Sequence, residues 1–383
     1  MFTHTANRRI IPVVLALLTF SLLSAQSSFK PKYKNSTFYT GIEVGSKGVK
    51  LSVVEIGKNA KSSGAFNILK DTAVNTDFIS FTEPTFQATL DAYCSLYNRA
   101  LNDYNIPAKR IFTVISSGVK MQAERESKTA WVNNLIDSFR LKIKESKRKV
   151  EVVDVQKEAY LSHLGIVPES RRYTTFLIDI GSGNTKGGFF PEGNTKYFRL
   201  FQVNWGTKST ANATEKRCEG DNSLDNFSKQ LPRVLSAAEN SEIIYAVNAS
   251  GSYPLSDNIA VSGGIAWAVA TLTHPEMADN TIVPVTFDEV VRFSENLLKD
   301  YSSFSEASIV NKMTPNYPDK TIVSGEVKRV NQVFDQKAMM AGTGLLLKIM
   351  RQFASIYETK QFYLVKNGQV GWISAYVDDQ VGD

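Results

Sequence analysis

Ile42-Glu43-Val44-Gly45-Ser46-Lys47-Gly48-Val49-Lys50 and Ile178-Asp179-Ile180-Gly181-Ser182-Gly183-Asn184-Thr185-Lys186 are two copies of one pattern: apolar, acid, apolar, Gly, Ser, three residues, Lys. A run rich in β-branched and aromatic residues precedes each copy (37–44 and 173–180), and a second apolar run follows it (49–56 and 186–190). Such runs read as strands. Each copy therefore predicts a β-hairpin with a glycine turn and a carboxylate just before that turn.

The residue types suit phosphate. Glycines at 45, 48, 181 and 183 let the backbone turn and approach a ligand closely. The N–H groups along such turns form a concavity for anions, and Ser46, Ser182 and Thr185 add hydroxyl donors. Glu43 and Asp179 would repel phosphate, but they suit a hard cation such as Mg²⁺. Two such hairpins facing each other would grip a metal–phosphate chain between two domains. Two plain hairpins are the alternative reading, and the repetition of acid–Gly–Ser weighs against it.

Outward from the repeat, 383 residues suggest two domains. Hydrophobic content of 43% and charged content of 21% support a buried core. Residues 1–25 read as a signal peptide: Arg8 and Arg9, an apolar run over 10–23, then Leu23-Ser24-Ala25 before Gln26. The run is shorter than the ~20 residues of a spanning helix, so cleavage is expected to leave no stable membrane anchor. The net charge of +6 permits a polyanionic ligand. The basic cluster Lys142, Lys144, Lys147, Arg148 and Lys149 reads as a solvated helix end. Cys94 and Cys218 are expected to be free thiols. His163 reads as a surface or boundary residue, and no histidine has zinc-type spacing.

Over residues 36–376 the chain resembles the exopolyphosphatase and guanosine-pentaphosphate phosphatase family, which shares the actin-like fold with sugar kinases and heat-shock chaperones. Glu43-Val44-Gly45-Ser46-Lys47 stands at the family's first phosphate loop, Asp-Leu-Gly-Ser-Asn. Ser117 supplies the hydroxyl of the family's Ala-Thr-x-x-x-Arg, whose arginine falls on Met121; Lys120 is the nearest substitute. Asp154 to Ala159 matches Ser-Gly-x-Glu-Glu-Ala, with the second glutamate kept as Glu158 and the first replaced by Lys157. Asp179 to Lys186 matches Asp-Ile-Gly-Gly-Gly-Ser-Thr-Glu, the final acid becoming Lys186. Val261-Ser262-Gly263-Gly264 matches a glycine turn, residues 285–298 an amphipathic helix pair and 337–347 a glycine-containing helix.

The resemblance implies an α/β protein of two actin-like, ribonuclease H-like domains, residues 36–158 and 159–383, with a phosphate-binding groove between them. It implies a hydrolase, which the leader of residues 1–25 would make exported, periplasmic or secreted. This would release terminal phosphate from polyphosphate or guanosine pentaphosphate, with Glu158 as base and Mg²⁺ on Asp179 and Glu43. Phosphate contacts would come from Gly45, Ser46, Lys47, Gly48, Ser117, Gly181, Ser182, Gly183, Asn184 and Thr185. A homodimer is the candidate assembly, and no sequence-specific nucleic-acid partner is expected. Lys47, Lys157 and Lys186 stand where the family has neutral or acidic groups. They leave open a second reading, a polyphosphate- or nucleotide-binding module weakened in catalysis. A kinase of the same superfamily is a third, disfavoured by the scarcity of ATP outside the cytoplasm.

Overall fold

The computed structural model describes residues 29–57, 66–313, 319–354, 358–366 and 368–381. The leader expected at residues 1–25 lies outside the described residues. The chain opens with β1 (Thr37–Val44), β2 (Gly48–Ile56), β3 (Phe66–Asn75), α1 (Glu83–Asn102), β4 (Ile111–Ile115), α2 (Ser117–Arg125), α3 (Thr129–Lys142) and β5 (Val150–Val152). Helix α4 (Val155–Ile166) leads to β6 (Thr175–Ile180), β7 (Thr185–Phe189), β8 (Arg199–Val203), α5 (Thr207–Arg217), α6 (Leu224–Ala238) and α7 (Ile244–Ser250). There follow β9 (Asn258–Ser262), α8 (Gly264–Thr273), β10 (Ile282–Val285), α9 (Phe287–Lys299), α10 (Glu306–Lys312), α11 (Lys320–Val333), α12 (Gln336–Arg351), β11 (Gln361–Val365) and α13 (Gly368–Val381).

The two sheets have one plan. The first runs β3-β2-β1-β4-β5 and the second β8-β7-β6-β9-β11, with β10 added at the far edge. In each, an antiparallel hairpin (β1–β2, β6–β7) is extended by a third antiparallel strand. The first strand of each hairpin then pairs in parallel with a later strand, β4 or β9. The repeated sequence is thus the central hairpin of a repeated domain. Helices cover both faces of β1, and its inner half is buried on both sides, as parallel pairing demands.

Each domain has its own core. In the first, α1 begins at Thr82, whose side chain accepts from the Thr85 N–H. It buries Phe86, Leu90, Tyr93 and Tyr97 at helical spacing. Tyr93 stacks on Phe139 of α3 with ring centroids 3.8 Å apart. The larger second core includes Phe176, Phe201, Phe227 and the helix α12. Residues 285–298, read as a helix pair, hold the end of β10 and one helix, α9, started by a Thr286–Glu289 capping box. His163, read as a surface or boundary residue, is fully buried. Its Nε2 lies 3.0 Å from the Thr175 carbonyl oxygen, and its ring meets Phe190 edge-on. Its apolar neighbours follow from tertiary packing, not from its place in the helical pattern. Cys94 and Cys218 are free thiols. Among the described residues no helix is long and apolar enough to cross a membrane.

Helix α13 follows the last strand of the second domain but packs against the first. Ile373 sits on Gly41 of β1, and Val377 packs with Val54 and Ile56 of β2. It also crosses α4 so closely that a Cβ on Gly165 would lie 2.0 Å from the Gly371 carbonyl oxygen. Gly165→Ala should therefore force the two helices apart, at a cost of about 1–3 kcal/mol. A lower denaturant midpoint with an unchanged m-value would report this; an unchanged midpoint would mean that the crossing is not tight.

Candidate active-site cleft

Hairpin register decides which repeated residues meet. Glu43 lies opposite Lys50, and Asp179 lies opposite Lys186. The acid and the lysine of the repeat are therefore cross-strand neighbours, close enough for opposite charges to attract. Lys50 remains partly exposed. Lys186 is buried, and its ammonium lies 3.0 Å from a Glu158 oxygen and 3.0 Å from an Asp179 oxygen. Burial opposes its charge, but Glu158 and then Asp179 outweigh burial and hold its pKa above the ordinary lysine value.

Both carboxylates have further partners. The Ser117 N–H donates to Glu158 at 2.7 Å, so Glu158 occupies the positive N-terminus of α2. The Ser262 hydroxyl donates to Asp179 at 3.1 Å. Gly263 follows at φ 100°, where a Cβ would strike the Ile180 carbonyl at 2.2 Å. Glu43 is buried nearby and accepts from the Trp372 indole N–H of α13 at 3.3 Å. Burial pushes its pKa up to about 7; the charge of Glu158 adds to the rise, and Lys50, Lys186 and the Trp372 bond oppose it.

The Mg²⁺ expected on Asp179 and Glu43 does not fit these residues. The Lys186 ammonium already stands between Glu158 and Asp179, and a lysine cation repels a metal ion. Glu43 turns toward an indole donor, and burial favours its neutral form. Among the described residues no group of three or more His, Cys, Asp or Glu side chains could hold a metal.

The phosphate-loop residues divide into two sets. Thr185 is fully buried and its hydroxyl donates to the Trp205 carbonyl at 2.7 Å, so it is a structural residue. Asn184 is buried, with its amide against the Met121 sulfur. Ser117 uses its N–H on Glu158, while its buried hydroxyl has no partner. Gly45, Gly48, Gly181 and Gly183 all have ordinary negative or extended φ. Close packing, not turn conformation, requires Gly48: a Cβ there would lie 2.1 Å from the Val74 carbonyl on β3. The Gly45 N–H is closed onto Gly48 and the Gly181 N–H onto Asn184.

The N–H groups of Ser46, Lys47, Ser182, Gly183 and Asn184 donate to no other described residue. Ser46, Lys47, Ser182 and Gly183 keep surface exposure at the rim of the cleft, whereas Asn184 is buried. Both loops converge on Gly118 of α2, where an added Cβ would lie 3.1 Å from the Ser46 hydroxyl and 3.5 Å from the Asn184 amide oxygen.

Lys157 does not face this rim. It pairs with Glu151 at 2.7 Å and lies over the Tyr376 ring. Two members of the basic cluster at 142–149 are also engaged: Lys142 pairs with Asp91, and Arg148 donates to the carbonyls of Ala108 and Ile111. Sequence reasoning missed Lys208 and Asp77, which meet across the cleft at 2.5 Å.

The same architecture is found in solved structures. The Aquifex aeolicus member of the Ppx/GppA family aligns at 16% identity over 91% of this chain and 98% of that one, with a TM-score of 0.58. An exopolyphosphatase-like protein aligns at 14% identity over 91% and 98%, also at 0.58. An exopolyphosphatase from Cytophaga hutchinsonii aligns at 12% identity over 90% and 98%, again at 0.58. No protein-family model and no curated sequence matches the chain. The chain is a two-domain α/β protein of the actin-like fold. Its architecture is that of the Ppx/GppA structures, from one end of those chains to the other.

Two predictions follow from the buried charges. Lys186→Met strands two buried carboxylates and should cost roughly 3–5 kcal/mol at neutral pH. The loss should shrink as acid protonates them, which denaturation at two pH values would test. Glu43 ionises near 4.5 in the unfolded chain but near 7 in the folded one. The folded state therefore holds the extra proton between these values, and this group's contribution to stability falls as pH rises through that window. Wild type should lose stability relative to Glu43→Gln between pH 4.5 and 7; parallel pH profiles would show that Glu43 is ionised in the fold.

Proposed function

We propose that the protein captures a phosphate chain, inorganic polyphosphate or a nucleotide polyphosphate, at the rim of its interdomain cleft, and binds it without metal-assisted hydrolysis. The observation that carries this reading is the Lys186 ammonium 3.0 Å from both Glu158 and Asp179. Phosphoryl transfer needs a held chain, a neutralising cation and an oriented water. Here the cation is a tethered side chain beneath the rim, and both oxygens of Glu158 are engaged, one by Lys186 and one by the Ser117 N–H. What stays free is the means of holding a chain: the loop N–H groups, the serine hydroxyls and Lys47.

These residues act by binding and orientation. The unpaired N–H groups of both loops would each meet a phosphate oxygen. Lys47, whose pKa is lowered by burial and by the nearby Lys208, gains a counter-charge when phosphate arrives. Export is part of the proposal and rests on the leader pattern of residues 1–25.

A second reading is hydrolysis, favoured by Glu158 at the floor of the cleft and by the exopolyphosphatases among the similar structures. Calorimetric titration with long-chain polyphosphate, beside a phosphate-release assay, separates the two. Capture predicts binding that survives EDTA and no phosphate release with or without Mg²⁺. Mg²⁺-dependent release, lost in Glu158→Gln, would overturn capture and establish the hydrolase. A folded protein that does neither would remove both readings.

A further inference from the structure

We propose that the Asp77–Lys208 ion pair is a latch joining the two glycine loops across the cleft, and that a phosphate-chain ligand opens it by taking Lys208 from Asp77. The proposal rests on reading the cleft as a phosphate-chain site, and it assigns Lys208 as a ligand-binding residue.

The connection is continuous. The Lys47 carbonyl of the first loop accepts the Thr76 N–H at 2.9 Å and the Asp77 N–H at 3.1 Å. Asp77 Oδ1 meets Lys208 Nζ at 2.5 Å. The Lys208 N–H donates to the Ser182 carbonyl of the second loop at 2.8 Å. Each end of the ion pair is thus fastened by its own backbone to one of the two loops. When the pair breaks, one link holding those loops together is lost.

Asp77 is built to offer its carboxylate there. Its backbone is left-handed at φ 53°, a conformation that aspartate tolerates better than most residues. Its second oxygen accepts from the Ser80 hydroxyl at 2.5 Å. Partial burial works to raise its pKa, but Lys208 and Ser80 more than offset this, so the group is ionised.

Charge favours exchange. Lys208 lies close enough to Lys47 to disfavour the Lys47 charge, and Asp77 and Asp335 are the acids offsetting it. The lysine and aspartate side chains of the latch keep 25% and 39% of their exposure. A pair this accessible is weak and open to competition. A phosphate chain carries several charges where Asp77 carries one. Seated against the loop N–H groups, it satisfies both ammonium groups and leaves Asp77 to water.

The test uses the purified protein, with long-chain polyphosphate as the probe in calorimetric titration and hydrogen exchange read at residues 207–209, whose N–H groups donate to the Gly181 and Ser182 carbonyls of the second loop. Asp77→Asn removes the competitor and should bind about two- to five-fold tighter. Lys208→Gln removes the ligand contact and should bind weaker by a similar factor. Exchange at the second loop's flanks should rise in Asp77→Asn and in wild type carrying the probe. A latch that is only structural would move both variants in the same direction. Binding by wild type with no tightening in Asp77→Asn overturns the latch alone. No binding by wild type overturns the latch together with the reading of the cleft.

Discussion

The arrangement of this cleft depends on one lysine side chain held between two carboxylates. Lys186 stands opposite Asp179 because β6 and β7 form a hairpin with that register. It reaches Glu158 because α4 starts where the two domains meet. Charge burial on this scale is tolerated only when each ion has close partners. Glu158 has the Ser117 N–H, Asp179 has the Ser262 hydroxyl, and Lys186 has both acids. The triad ties β7, α4, α2 and β9 to one point, and it engages the Asp179 carboxylate on which Mg²⁺ was expected.

The same elements serve both domains, but their environments differ. The first hairpin carries Glu43 opposite Lys50, and there the lysine stays at the surface while Glu43 is left with an indole donor. The second hairpin carries the matched pair into the interface. One repeated sequence thus yields a paired ion triad on one side and a carboxyl with a raised pKa on the other. Helix α13 contributes to this difference, since Trp372 reaches Glu43 only because the chain's end returns to the first domain.

Much of the fold was legible in the sequence. Alternation and β-branched residues marked both hairpins, and the repeat marked the duplication. Strands β3, β5, β8, β10 and β11 were not anticipated; β5, β8 and β10 are short edge strands, which carry little periodicity. Of the site residues, both glycine loops and Glu158 lie at the cleft, while Thr185 and Asn184, also expected to contact phosphate, are buried. The Lys186 contact with Asp179 was available from hairpin register, since the acid and lysine flank a turn of fixed length. Its contact with Glu158 was not, because nothing local relates positions on different elements.

The sequence by itself determined the hairpins, the repeat and the chemical types placed along the cleft. These depend on local periodicity and turn chemistry, which neighbouring residues carry. Only the tertiary structure decided which groups were already satisfied. Whether an ammonium is left for a ligand, as proposed for Lys47, or pairs with the protein's own carboxylates, as Lys186 does, depends on what lies within hydrogen-bond reach. So does the meeting of Asp77 and Lys208, which the chain separates by more than a hundred residues. Packing of two domains sets these distances, and a linear pattern does not encode them.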